Sequence, residues 1–411
     1  MKILLVNKFL YSKGGDAIST LETGRLLFAK GHKVFYWGMK HPKNPEYPYS
    51  EYFVDNVDYA AALSIKKKMS NAFKILYSFE AKRKIAELVK IIEPDIVHLN
   101  NFAHQISPSI LHVFKKYNIP TVMTMRDYKL VCASYSMLSN GKSCESCKNG
   151  RYHFCFRKKC VKDSWAKSLL NTVEMYLHHK ILHIYNTIDI FIVTSNFIKE
   201  KHIEMGFRGE VVRLPNFVNI ADFSPEYRYE EKSIVYFGRL SQEKGLFTLL
   251  NSIKGLDIQL KIIGTGPIRE ALEQKVKNEK LGNVVFKGHM TGDDLKKEIK
   301  PSMATVIPSE WYEAFGRTII ESFALGKSVI GARIGGIPGL VKDGVTGYTF
   351  EAGNVDDLRS KIVKLSENKD KIVEMGKNAR RFVEENFNSE KHYIKLMEIY
   401  SKAMRKHQCY P

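Results

Sequence analysis

No apolar run in this 411-residue chain approaches the ~20 consecutive residues that a membrane-spanning helix needs. That absence excludes a helical span. The opening MKILLV is too short for a signal-peptide core and reads as a first strand, so the expected location is the cytosol. No recognisable nucleic-acid module accompanies the net charge of +20, so nucleic acid is not an expected partner. A Gly-x-Gly-x-x-Gly fingerprint is also missing. In its place Gly14 and Gly15 lie between the first strand and the first helix. They read either as a plain turn or as a tight loop that brings amides to a phosphate or sugar.

Cysteine is scarce, yet five of the six fall between Cys132 and Cys160. Cys144 and Cys147 have the spacing of a metal hook, and Cys155 with Cys160 would complete four thiolates around a structural zinc, with His153 as a spare ligand. Against zinc stand the wider spacing of the second pair and the stability of free thiols in the cytosol. Such an ion would staple a polar insert at 132–160 and take no part in chemistry.

What is present is ordinary globular composition, 44% hydrophobic and 26% charged. The length exceeds one compact core and suits two domains of roughly 200 residues each. Apolar strand runs alternate with helical patterns throughout, which predicts an α/β fold of parallel βα units. In the first half the expected strands are Ile3 to Val6, Val34 to Trp37, Ile96 to Leu99, Val122 to Met125 and Ile190 to Thr194. In the second they are Val211 to Leu214, Ile234 to Phe237, Leu260 to Ile263, Val284 to Phe286, Thr305 to Ile307 and Ser328 to Ile330. Two doubly wound sheets follow, with the switch near Leu214 to Asn219, where Pro215 breaks the pattern. Ligands of such sheets bind beyond the carboxyl ends of the strands, so two facing sheets make a cleft.

The charge is uneven. Residues 1–213 hold 33 Lys+Arg against 18 Asp+Glu, or +15, leaving 31 against 26, or +5, for the rest. Lys66-Lys67-Lys68, Lys82-Arg83-Lys84 and Arg157-Lys158-Lys159 alternate with apolar residues such as Phe73, Ile75, Leu76 and Tyr77. Solvated helix faces account for such clusters, and so does a surface that lies on an anionic bilayer.

The most informative stretch is PSEWYEAFGRTIIESFALGKSVIGARIGGIPGLVKDGVTGYTF at 308–350. Glu313 falls in the loop after an apolar strand, and Glu321 lies inside a helix that Gly316 opens and Gly326 closes. Free amides near Phe315, Gly316 and Arg317 point outward at the positive end of that helix, where a diphosphate is stabilised. Two solvated helix charges are the plainer reading. Upstream, YFGRLSQEKG places Arg239 after Gly238 at a strand end, with Lys244 five residues on. Gly264-Thr265-Gly266 precedes another helix.

These segments, with PNFVN at Pro215 to Asn219, DIVHLNNFAHQISPSIL and TMRDYKLVCASYSMLSNGKSC, resemble family 4 of the retaining glycosyltransferases. The resemblance spans nearly the whole chain. It implies a GT-B fold: a first, acceptor-binding Rossmann-like domain at 1–214, a nucleotide-sugar-binding one at 215–387, and a helix at 388–411 that returns to the first domain. It places Gly14 and Gly15 over the donor diphosphate and Gly266 near the nucleotide.

The activity implied is transfer of a sugar from a UDP- or GDP-linked donor with retained configuration. Arg239 and Lys244 would clamp the departing diphosphate and Glu313 would orient the sugar. No catalytic metal is implied, because Asp293-Asp294 and Asp356-Asp357 stand at helix starts. Two positions depart from the family pattern: Arg126 replaces a histidine before Asp-Tyr, and Asn100 stands two residues after His98. Arginine is no base at neutral pH, so Arg126 marks a sugar site without a catalytic role; it can bind phosphate or pair with Asp127. His98 and His104 read as sugar-site or satisfied core histidines. The acceptor expected is a saccharide or a polyprenyl-diphosphate-linked saccharide at the inner membrane face, in surface polysaccharide synthesis. A GT-B epimerase or phosphorylase, or a non-enzymatic zinc and membrane adaptor, are the alternatives.

Overall fold

A computed structural model describes residues 1–56 and 65–409, without the side chains of 65–69 and 408–409. The Lys66-Lys67-Lys68 side chains thus lie outside the described residues.

The first sheet contains β1 (Lys2–Val6), β2 (Lys33–Trp37), β3 (Ile96–Leu99) and β4 (Thr121–Met125). A short hairpin of β5 (Leu138–Ser139) and β6 (Lys142–Ser143) interrupts the sequence before β7 (Ile190–Val193) and β8 (Val211–Arg213) complete it. Its order is β2-β1-β3-β4-β7-β8, with every pairing parallel. The second sheet holds β9 (Ser233–Phe237), β10 (Gln259–Ile263), β11 (Val284–Gly288), β12 (Ala304–Ile307), β13 (Ser328–Ala332) and β14 (Gly347–Phe350). Its order is β11-β10-β9-β12-β13-β14, also all parallel. The topological switches therefore fall between β1 and β3 and between β9 and β12, which is where such sheets bind ligands.

One expected strand belongs elsewhere: β8 pairs with β7 and closes the first sheet. The chain leaves that sheet only after Arg213, when Pro215 removes a backbone donor.

Both faces of the first sheet are buried, which is why its strands read as continuous apolar runs. Leu4, Val6, Val97, Leu99, Met123 and Met125 face one cluster with Ile85 and Leu88. The alternate residues Ile3, Leu5, Ile96, Val122 and Ile190 face another, which Leu396, Ile399, Tyr400 and Ala403 complete. These four come from the last helix, Ser389–Cys409, so the chain's end covers the first sheet. Full burial of each leucine or isoleucine there contributes about 1.5–3 kcal/mol.

Candidate active site

The loop after β12 carries Glu313 and the loop after β9 carries Lys244, and the two side chains meet. Lys244 Nζ donates to Glu313 Oε2 at 2.6 Å, and the same oxygen accepts from Trp311 Nε1 at 3.2 Å and Ser309 Oγ at 3.3 Å. Burial favours the neutral acid, but Lys244 and these hydrogen bonds outweigh it and hold the carboxyl below its ordinary range. Glu313 is therefore an anion at neutral pH. Its other oxygen, Oε1, makes no hydrogen bond among the described residues.

Two glycines make this meeting possible. Gly245 has φ 68°, and a Cβ there would lie 1.8 Å from the Pro308 carbonyl oxygen. Gly335 has φ 62°, and a Cβ there would lie 2.4 Å from the Glu313 nitrogen. Both backbones press where any side chain would separate them. Gly336 N adds a 2.7 Å hydrogen bond to the Glu313 carbonyl.

Four residues on, the helix Arg317–Ala324 begins at Gly316 with no side-chain cap. Ile319 N bonds the Gly316 carbonyl, whereas the amides of Phe315, Gly316, Arg317 and Thr318 have no backbone acceptor among the described residues. They are oriented donors at the positive helix end. The Phe315 ring itself is buried, 5.8 Å from the Phe387 ring, so only its backbone can meet a ligand.

Arg317 also has a use that its sequence position does not reveal. Its guanidinium bonds Glu321 Oε1 at 2.7 Å, and it grips Glu22 of the first domain through two bonds of 2.7 and 2.6 Å, with Ser19 at 3.2 Å. Burial, reinforced by Glu22, raises the Glu321 carboxyl above its ordinary range despite Arg317.

Glu22 and Ser19 belong to the helix Gly15–Ala29, whose N-terminus is the Gly14-Gly15 loop. That loop and the Gly316 helix mouth therefore stand on the two sides of one cleft. Arg239 is exposed and its guanidinium makes no hydrogen bond or ion pair among the described residues, while its carbonyl accepts from Tyr236 Oη at 2.7 Å; its charge is felt across the cleft by Tyr135. Gly266 sits in the loop after β10, tied to the Arg239 loop by Leu240 N bonding the Thr265 carbonyl at 3.0 Å.

With this geometry in place, comparison with known proteins is decisive. The family described as Glycosyl transferases group 1 matches residues 219–382, and Glycosyltransferase Family 4 matches residues 13–222, half of the chain. The chain belongs to glycosyltransferase family 4.

The chain is similar to a Klebsiella pneumoniae protein of a cps region, 27% identical over 82% of this chain and 86% of that one. It is likewise similar to N-acetyl-alpha-D-glucosaminyl L-malate synthase of Bacillus anthracis, 24% identical over 96% and 95%. Among solved structures, sucrose-phosphate synthase of Thermosynechococcus elongatus superposes with a TM-score of 0.74 at 19% identity, covering 98% of each chain. The Anabaena protein HepE in complex with UDP and glucose superposes with a TM-score of 0.66 at 17% identity, covering 98% and 99%. The fold is GT-B.

In this glycosyltransferase the first-domain residues occupy the strand ends of the other sheet. Arg126, after β4, does not pair with Asp127. It donates to Asn100 Oδ1 at 3.2 and 3.1 Å and to Asn216 Oδ1 at 2.9 Å, while Asp127 accepts from the Lys129 amide. Burial lowers the Arg126 pKa to about 10, so it stays cationic at neutral pH. Both departures from the family pattern, Arg126 and Asn100, thus bond to each other.

His98 has both ring nitrogens engaged, by Tyr400 at 2.8 Å and Thr124 at 2.7 Å, and burial drops its pKa to about 3. It is a satisfied core histidine beneath the cleft. His104 pairs with Glu174 at 3.1 Å.

The glycosyltransferase also places Lys8, Asp16 and Asp127 together at the ends of β1 and β4. Burial lowers the Lys8 pKa, with Asp16 and Asp127 opposing, and burial raises Asp127. Sequence reading missed this group. Its only signal was position, immediately beyond apolar strands.

In the cysteine insert the thiols gather by pairs that the sequence spacing alone did not specify. Cys132 pairs with Cys147 and Cys155 with Cys160, whereas Cys144 contacts Ser146 and Lys158. No group of three or more ligand side chains is gathered to hold a metal among the described residues. The two pairs and Cys144 line one pocket. Asp293-Asp294 and Asp356-Asp357 stand in the first turns of helices Gly292–Ile299 and Val355–Ser366.

Proposed function

We propose that this glycosyltransferase moves a sugar from a UDP- or GDP-linked donor to a saccharide, or polyprenyl-diphosphate-linked saccharide, in surface polysaccharide synthesis, with retention and without a catalytic metal. The observation that carries the reading is the Lys244–Glu313 contact beside an uncapped helix mouth. One Lys244 proton is taken by Glu313, which leaves two for phosphate oxygens. The amides of Phe315 to Thr318 supply further donors where the leaving diphosphate gathers charge. Glu313, with Oε2 fixed, offers Oε1 to a sugar hydroxyl, and Glu321 is set to take a ribose hydroxyl.

As the anomeric carbon–phosphate bond breaks, the diphosphate departs with the electron pair and an oxocarbenium-like sugar forms. The acceptor oxygen then bonds from the same face, and its proton passes to the departing phosphate. Neither His98, with both ring nitrogens engaged, nor the cation Arg126 is a base for it. Support for the donor class comes from HepE, solved with UDP and glucose; support for the pathway comes from the cps-region relative.

The test is a melting-temperature screen against UDP-, GDP-, ADP- and TDP-sugars, since a ligand of the folded state alone raises the melting point. One of the UDP or GDP series is expected to raise it. With that donor and a lipid extract, labelled sugar should transfer in EDTA and the product should keep the donor's anomeric configuration by NMR. If no nucleotide sugar shifts the melting point, the reading fails.

A further inference from the structure

The helix Trp165–Tyr176 reverses the usual polarity of a surface helix. It buries Ser168, Asn171, Thr172 and Glu174, while Trp165, Leu169 and Val173 are 48%, 47% and 43% exposed. Residues four apart share one helix face, so the three form an apolar stripe. The π-helical turn Leu177–Ile181 follows directly, and Ile181 at its end is 68% exposed.

The orientation is fixed from beneath. Glu174 Oε2 accepts from Lys129 at 2.8 Å and from His104 at 3.1 Å, Asn171 donates to the Ala133 carbonyl at 3.0 Å, and Thr172 to the Tyr152 carbonyl at 3.3 Å. Rolling the helix to hide its apolar face would strip these buried polar groups of partners.

The surroundings are basic. Residues 151–183 carry seven Lys+Arg against Asp163 and Glu174, and Glu174 is fully buried. Lys159 Nζ lies 5.1 Å over the Trp165 ring, while Lys162 and Lys167 are exposed. A second copy of the chain would bring the same positive charge to the stripe and be repelled.

We propose that this face docks on an anionic lipid bilayer, with Trp165, Leu169 and Val173 entering the headgroup boundary and Lys159, Lys162 and Lys167 reaching lipid phosphates. The inference deepens the lipid-linked reading of the acceptor and rests on it for its purpose. Its measurement uses neither donor nor acceptor, so either can fail alone.

The test is flotation of the full chain with vesicles of phosphatidylcholine alone or mixed with phosphatidylglycerol. The chain should float with the anionic vesicles and be released by high salt. Trp165→Ser/Leu169→Ser/Val173→Ser together should cut the floated fraction at least tenfold, and Lys159→Glu/Lys162→Glu/Lys167→Glu should do the same. Both variants should keep the wild-type melting temperature. Failure of the wild type to float on anionic vesicles overturns the proposal, as does undiminished flotation of the serine variant. A salt-stable dimer that the serine variant dissolves, without lipid binding, would assign the stripe to a second copy instead.

Discussion

At the scale of the residue, the proposed centre of this enzyme is one carboxylate whose two oxygens are differently engaged. Three donors immobilise Oε2 of Glu313, and that immobility aims Oε1 without any ordering at the moment of reaction. Glu313→Gln keeps the shape and removes the charge. Turnover is expected to fall on the order of 10²-fold, the size of losing one oriented electrostatic contact. Nucleoside diphosphate should bind at least as tightly, because Lys244 loses its counter-ion; steady-state rates and titration read the two effects separately.

Sequence placed Glu313 and Lys244 beyond apolar strands and Gly316 at a helix start, where the structure has them, because apolar runs and glycines mark those boundaries. It could not show that Arg317 reaches Glu22, nor that Arg126 lies on Asn100 and Asn216. Those partners are distant in sequence, and no local pattern encodes them.

At the scale of the element, the parallel strands were legible because burial on both faces leaves unbroken apolar runs. β14 was missed: Gly347–Phe350 is short and opens on a glycine, which weakens any strand signal. The insert at 132–160 was legible only as composition, and the helix after it, Trp165–Tyr176, faces the wrong way for its hydrophobicity.

Glu174 is what holds that helix in place. Burial alone would raise its pKa, but Lys129 and His104 bring it from 4.5 to about 2. A folded pKa below the unfolded one contributes stability that is complete above pH ~4.5 and is lost as pH falls toward ~2. Glu174→Leu leaves Lys129 buried and unpaired, at an expected cost of about 3–5 kcal/mol at pH 7. Urea unfolding should show that gap between wild type and variant narrowing steadily as the pH drops from 5 to 3.

At the scale of the whole molecule, the two sheets face each other through a small set of specific contacts. Arg317 grips Glu22, Tyr312 Oη donates to Glu145 at 2.9 Å, Tyr128 Oη donates to the Tyr312 carbonyl at 2.8 Å, and Ser195 Oγ to the Ala314 carbonyl at 2.5 Å. All of them land on the segment from Tyr312 to Arg317, the one that carries Glu313 and the free amides. The contacts that join the two domains there and the groups of the candidate site thus share one segment.

The charge follows the same division, +15 on residues 1–213 against +5 on the remainder. On the proposed reading the acceptor and the membrane face belong to the first half and the donor to the second. Titration of the nucleoside diphosphate identified by the melting screen into wild type and Lys244→Ala tests this most directly. The account predicts at least a tenfold loss of affinity in the variant, measured at a temperature where both proteins are folded, because loss of the Lys244 partner of buried Glu313 also lowers the melting temperature. Equal affinity in the two proteins would contradict it.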